Sequence, residues 1–271
     1  MAGGADSAKA VVYALGANGA IAAAKYVAAA LTGSSSMLAE AVHSTADCGN
    51  QLLLLLGLKR SKLPPNHDYP LGFGKETYFW SFVVAIMLFS VGGMFSLYEG
   101  WHKVMEPEAI RSPMIALGVL AFGICAESLS MWGAMREVNK MRGPASVLSW
   151  FRTTRNGELA VIFAEDLAAL IGLVIAFVAV GATWATGNAV FDAWGTVGIG
   201  VLLVIVAILV AVEVKAMLIG QGVEAPVRAA MLEFLGGQSA VEHVIDLLTL
   251  HGMWRGMSPP RLVCAPMGKD A

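Results

Sequence analysis

MLAEAVHSTADCGNQLLLLLGLKR, residues 37–60, is the stretch that decides how the rest of the chain is read. It is long and apolar enough to cross a bilayer, yet it carries Glu40, His43, Asp47 and Asn50. At about 100° per residue these four fall within roughly 80° of one another on one side of a helix. The opposite side is leucine, alanine and valine. A charge near the bilayer centre costs at least ~2.5 kcal/mol, so such residues rarely face lipid. The stripe is therefore expected to face a polar path inside a helical bundle. His43 and Asp47 stand four residues apart on one face, a spacing at which both can reach one metal ion.

Composition agrees with a membrane setting. Of 271 residues, 57% are hydrophobic and 14% charged, with mean hydropathy +0.67. A soluble domain carries about 25% charged residues. That deficit, with repeated apolar runs, indicates an all-α integral membrane protein. A net charge of −2 argues against nucleic acid as a partner. Cys48, Cys125 and Cys264 are scattered singly and propose neither a disulfide framework nor a CxxC zinc site. Only Lys9 precedes the first long run, and Asn18 and Lys25 interrupt it. That is a poor signal peptide, so the segment reads as a retained helix.

Six transmembrane spans are expected: about Ala10 to Leu31, residues 37–60, Tyr78 to His102, Met114 to Met135, Gly157 to Thr183, and Asp192 to Leu218. Asn18 and Lys25, seven apart, share a face turned into the bundle. Ser34, Ser35 and Ser36 offer N-caps to the second span. The loop LPPNHDYPLGFGKETYF follows that span, and an irregular basic loop, REVNKMRGPASVLSWFRTTR, follows the fourth. Lysine and arginine set the orientation. Lys59, Arg60, Lys62 and Lys75 lie between spans two and three; Arg136, Lys140, Arg142, Arg152 and Arg155 lie between four and five. The turns at the other face carry only Lys103 and Arg111. Both termini are thus expected on the cytoplasmic side. The expected location is the inner membrane of a prokaryotic cell, with an organelle membrane as the alternative.

The second and fifth spans cross in opposite directions. Asp47 lies about 13 residues, roughly 20 Å, from the inner end of its span, and Asp166 about 10 residues, roughly 15 Å, from the inner end of its own. The two can meet near mid-membrane. His43, Asp47 and Asp166, completed by Glu165 or a water, form a candidate four-coordinate metal site. Glu165 and Asp166 are adjacent and point about 100° apart, so one of them is expected to ligate directly. Other polar groups have a plainer reading beside the functional one. Glu40 either joins the site or pairs with Lys25. Glu127 is read as structural or supporting, Asn18 and Asn50 as tuning groups or core hydrogen bonders, and His67 and Asp68 as a solvated loop. Gly195, Gly198 and Gly200 suit close helix packing.

TGSSSMLAEAVHSTADCGNQ (residues 32–51), YPLGFGKETYFW (69–80) and the EDxAAxxG phrase from Glu165 to Gly172 resemble the cation diffusion facilitator family of divalent metal transporters. The resemblance runs from about Ala17 to Gly222, and the branch it suggests includes a mitochondrial zinc transporter of animals. It implies six membrane helices, a homodimer, and exchange of Zn²⁺ or related ions from the cytosol against protons. His43 and Asp47 match the family's HxxxD half-site. In the fifth helix Asp166 and Gly172 fit the family's register, but its histidine position is Ile162. Glu165 then substitutes for the missing nitrogen ligand, and the oxygen-richer set opens the site to Fe²⁺, Co²⁺ or Mn²⁺.

The resemblance further implies a cytoplasmic ferredoxin-like domain of some eighty residues after the last span. Only about fifty follow here. APVRAAMLEFLGG (225–237) resembles its first helix and SAVEHVIDLLTLH (239–251) the start of its sheet. HGMWRGMSPPRLVCAPMGKDA (251–271) then loses strand alternation. Residues 1–220 are accordingly read as the transport domain and 221–271 as an incomplete cytoplasmic domain with a disordered tail. The expected function is proton-coupled export of a divalent cation, most of all zinc, by alternating access. The transported ion is a substrate, and no cofactor is expected. An enzyme is disfavoured, since the chain has neither HExxH nor GxSxG. A non-transporting scaffold or a regulatory subunit of another transporter is the remaining alternative.

Overall fold

A computed structural model describes residues 3–70, 72–154, 157–223 and 225–238, with isolated positions 244, 246, 247 and 249. Every regular element among them is helical: α1 (Gly3–Thr32), α2 (Ser35–Ser61), α3 (Glu76–Met87), a π-helical segment (Leu88–Met94), α4 (Phe95–Met105), α5 (Pro113–Arg142), α6 (Val147–Thr153), α7 (Gly157–Thr186), α8 (Val190–Ile219) and α9 (Ala225–Gly236). Among the described residues, four helical stretches are long and apolar enough to cross a membrane: Glu76–Met105, Pro113–Arg142, Leu159–Thr186 and Val190–Ile219. At 30 and 27 residues, α1 and α2 match them in length, and α2 is the less apolar of the two. In α2 the polar stripe itself lowers the hydropathy.

The breaks follow from local chemistry. Gly33 ends α1 at φ +71°, a left-handed turn that side chains with a Cβ rarely adopt. Ser34 then caps α2, its hydroxyl accepting from the Met37 N–H at 3.2 Å. Pro113 opens α5 at a position where its missing N–H costs nothing. The basic loop after α5 is less irregular than the sequence suggests. Ser146 accepts from the Ser149 N–H at 3.2 Å and starts the short helix α6, whose Trp150 packs against Phe163. The first helix expected after the last span is present as α9, whereas residues 251–271 lie outside those described.

Glycine lets α8 approach its neighbours closely. A methyl on Gly200 would stand 2.7 Å from the backbone nitrogen of Leu97, and one on Gly195 would stand 2.3 Å from the Ala179 methyl. α8 therefore lies against α3, α4 and α7, while α7 also packs on α5 and α1 on α2. Two apolar clusters result. One gathers Met37, Leu120, Leu173, Val180 and Ile199. The other gathers Leu54, Tyr78, Val84, Val161, Val214 and Met217. Along α2 the polar residues fall between Met37 and Leu54, and along α7 Glu165 and Asp166 fall between Val161 and Leu173. The polar centre is thus bounded by an apolar layer toward each end of both helices.

Candidate metal centre

α2 turns Ser44, Asp47 and Gln51 toward a cavity of about 330 Å³. The spacing i, i+3, i+7 makes these three one helical stripe. α7 contributes Ile162, Glu165, Asp166 and Ala169, α5 contributes Glu127 and Ser130, and α1 contributes Asn18. α2 and α7 thus line one cavity, with Asp47 from α2 and both adjacent carboxylates from α7. Each is held by a different neighbour. Asn50 Nδ2 donates to Glu165 Oε1 at 2.7 Å, and Ser130 Oγ donates to Asp166 Oδ2 at 2.9 Å. Asp47, Glu165 and Asp166 are close enough to repel one another.

His43 is buried beside this cavity and is not among its lining residues. Its Nε2 lies 3.6 Å from Asp47 Oδ2. Neither imidazole nitrogen has a hydrogen-bond partner, and the same holds for Asp47 Oδ1, Asn50 Oδ1 and Gln51 Oε1. A buried polar atom left unpartnered costs about 1–3 kcal/mol. Five such atoms on consecutive turns of one helix form a donor set suited to a ligand that brings its own positive charge. Among the described residues no three of His, Cys, Asp and Glu converge tightly enough to hold an ion in this conformation. Asp47, Glu165 and Asp166 line a common space instead of meeting at a single point, and His43 stands beside it.

The other polar groups sort differently. Glu40 pairs with Lys25 at 3.2 Å, away from the cavity lining. Glu127 lines the cavity. His67 and Asp68 stay in an exposed loop. Cys48 and Cys125 are free thiols. Sequence reasoning passed over Ser44, Gln51 and Ser130. Gln51 was within reach, four residues beyond Asp47 on the same face. Ser130 carries no signal of its own until α5 is known to pack on α7.

Over residues 11–219 the sequence matches the cation efflux transmembrane domain family. This chain belongs to that family, the cation diffusion facilitators. The efflux-family assignment and its apolar helices make it a multi-pass integral membrane protein. It is 33% identical over 243 residues to the mitochondrial proton-coupled zinc antiporter of Xenopus laevis, covering 88% of this chain and 43% of that protein. Against the corresponding antiporter of Homo sapiens it is 31% identical over 242 residues, 88% of this chain and 42% of the relative. A metal tolerance protein of Arabidopsis thaliana is 29% identical over 212 residues, 78% of this chain and 46% of its own length. The chain thus spans less than half the length of these relatives.

Proposed function

We propose that this chain carries a divalent metal cation, zinc foremost, across a membrane in exchange for protons. The observation that carries the reading is the cavity into which α2 and α7 send Asp47, Glu165 and Asp166, with unpartnered His43 alongside. Residues 1–220 act as a transport domain of six spans, α1 and α2 joining the other four. Both termini face the cytoplasm or its organellar equivalent, on the side of the basic loops. Residues 221–271 contribute to a cytoplasmic segment, and the working unit is a homodimer like that of other family members. The identity to mitochondrial antiporters makes an organelle membrane as reasonable a home as a prokaryotic inner membrane.

His43, Asp47 and Asp166, with Glu165 in place of the absent histidine at Ile162, bind the ion when deprotonated. A modest inward movement of α2 against α7 would bring them from a shared space to a shared point. The bundle then re-orients, and protons on the far side compete for the same ligands and release the metal. Two or three carboxylates and one nitrogen admit Fe²⁺, Co²⁺ and Mn²⁺ beside Zn²⁺.

Reconstituted vesicles test this directly. Adding Zn²⁺, Fe²⁺, Co²⁺ or Mn²⁺ to one side is expected to drive ion uptake together with opposite proton movement, with Zn²⁺ fastest. Ion-independent proton movement, or no uptake of any of the four, would refute the reading. A second reading, a non-transporting scaffold, draws on the ligands' failure to converge in this conformation. Titration of purified protein separates the two: a transporter binds metal stoichiometrically, and a scaffold need not.

A further inference from the structure

Lys25 is a buried lysine, 1% exposed, and its contacts exceed what a structural ion pair requires. The ammonium donates to Glu40 Oε2 at 3.2 Å and to Ser44 Oγ at 2.7 Å. Glu40 is wholly buried, and its Oε1 has no partner. That oxygen is seated against Gly172, where a methyl group would stand 2.5 Å away. Ser44 is the informative partner. It lines the cavity, one turn of α2 before Asp47. Lys25 is also near enough to act through its charge on His43, Asp47 and Glu127. A buried ion pair is weak evidence for stability, because desolvation offsets most of the attraction. Its placement one hydroxyl from a carboxylate-lined cavity asks for a functional account.

We propose that Lys25 is a tethered counter-cation of the transport site, moving between Glu40 and the cavity carboxylates by way of Ser44. The inference rests on the transporter reading above. While the metal ion occupies Asp47, Asp166 and Glu165, the ammonium is held on Glu40 and Ser44. Once the ion has left, the four-carbon side chain turns toward Asp47 and offsets carboxylate charge in a weakly screened interior. α1 itself need not move. Incoming protons then have less charge to neutralise, and the carrier returns without an ion at lower cost. Lys25 acts here as a positioning residue: it touches neither the metal nor a proton in transit.

The test separates two transport modes of the full chain in vesicles. Net zinc uptake driven by a proton gradient requires the ion-free return; exchange of radioactive for unlabelled zinc does not. The double variant K25M–E40Q removes both charges, so neither is left buried alone, and K25R retains the cation. The expected result is zinc exchange near the wild-type rate, net uptake lowered about tenfold in K25M–E40Q, and net uptake largely kept in K25R. Should the double variant fail to elute as folded protein, Ser44→Ala keeps every charge and removes the intermediate hydroxyl; it is expected to lower net uptake by more than it lowers exchange. Wild-type net uptake in K25M–E40Q, or in Ser44→Ala where that variant is used, overturns the proposal. So does an equal loss of both modes in a folded variant, which marks a structural pair. Absence of both modes in the wild type overturns the transporter reading instead.

Discussion

Asp192 and Asp47 are carboxylates inside the same bundle, built in opposite ways. Asp192, at the start of α8, sits under the N-terminus of α2. It accepts from Ser34 Oγ at 2.8 Å, from the Ser35 N–H at 2.7 Å, from Ser35 Oγ at 3.0 Å and from the hydroxyl of Ser36. Both oxygens are engaged, and the positive end of the α2 dipole adds to the attraction. Asp47 has an unpartnered Oδ1, and neither nitrogen of its near neighbour His43 has a hydrogen-bond partner. A carboxylate whose oxygens are all engaged acts as a staple. One left short of donors among other acceptors remains available to a cation. The inventory of partners tells these two roles apart.

The widest separation is expected when each aspartate is removed in turn. Asp47→Ala should lower metal uptake at least ~100-fold, the scale on which ligand-shell losses act. Thermal unfolding in detergent should stay unchanged or improve, because an unsatisfied group leaves the interior. Undiminished uptake would break the contrast at once. Asp192→Ala should behave conversely, losing about 2–4 kcal/mol as buried serine donors lose a charged acceptor. Uptake per folded molecule should change far less. Denaturation measured beside vesicle flux reads both quantities.

The helices were legible because α2, α7 and α8 announce themselves through apolar length, a serine cap and turn glycines. Their expected ends lie within a few residues of the observed ones, apart from the N-terminus of α1 and the C-terminus of α5. The π-helical turn at Leu88–Met94 left no sequence signal, since it arises where α3 continues into α4 against α8. In the site, Asp47, Glu165 and Asp166 could be placed together from counting residues along antiparallel spans. On α2 the polar stripe and the cavity-lining stripe overlap without coinciding. The first runs along Glu40, His43, Asp47 and Asn50, but the cavity meets Ser44, Asp47 and Gln51, rotated by roughly 60° about the helix. Rotation of a helix is set by what packs on its other sides, and no count along one strand of sequence contains that.

Gly172 tests how tightly the charged region is fitted. A Cβ there would meet Glu40 Oε1, a buried carboxylate already tied to Lys25. Gly172→Ala is expected to cost about 1–3 kcal/mol through crowding. The displaced Glu40 should also weaken the hold on Lys25. Gly133, in the same kind of helix, has nothing within 4 Å of an added methyl. Gly133→Ala is expected to leave stability unchanged or raise it by up to about 1 kcal/mol, the ordinary helix preference for alanine. If both substitutions were equally benign, the glycine would not be reserving space for the carboxylate.

The smallest effect belongs to a third kind of carboxylate. Glu108, in the loop before α5, is exposed and hydrogen-bonded to Lys103. That hydrogen bond, followed by the lysine's charge, holds its carboxyl below the usual range. A carboxylate depressed in the folded state stabilises above its unfolded pKa, and the contribution fades as pH falls through the folded value. Any dependence of stability on Glu108 should therefore be absent in strong acid and greatest near neutrality. Even there solvent screens an exposed pair, so Glu108→Gln should leave thermal unfolding at pH 7 indistinguishable from wild type. A measurable drop would mean that Lys103 and Glu108 anchor the loop rather than decorate it. No drop would leave Asp192 and Glu108 as two well-partnered acids separated by burial, with Asp47 the cavity acid short of a partner at Oδ1.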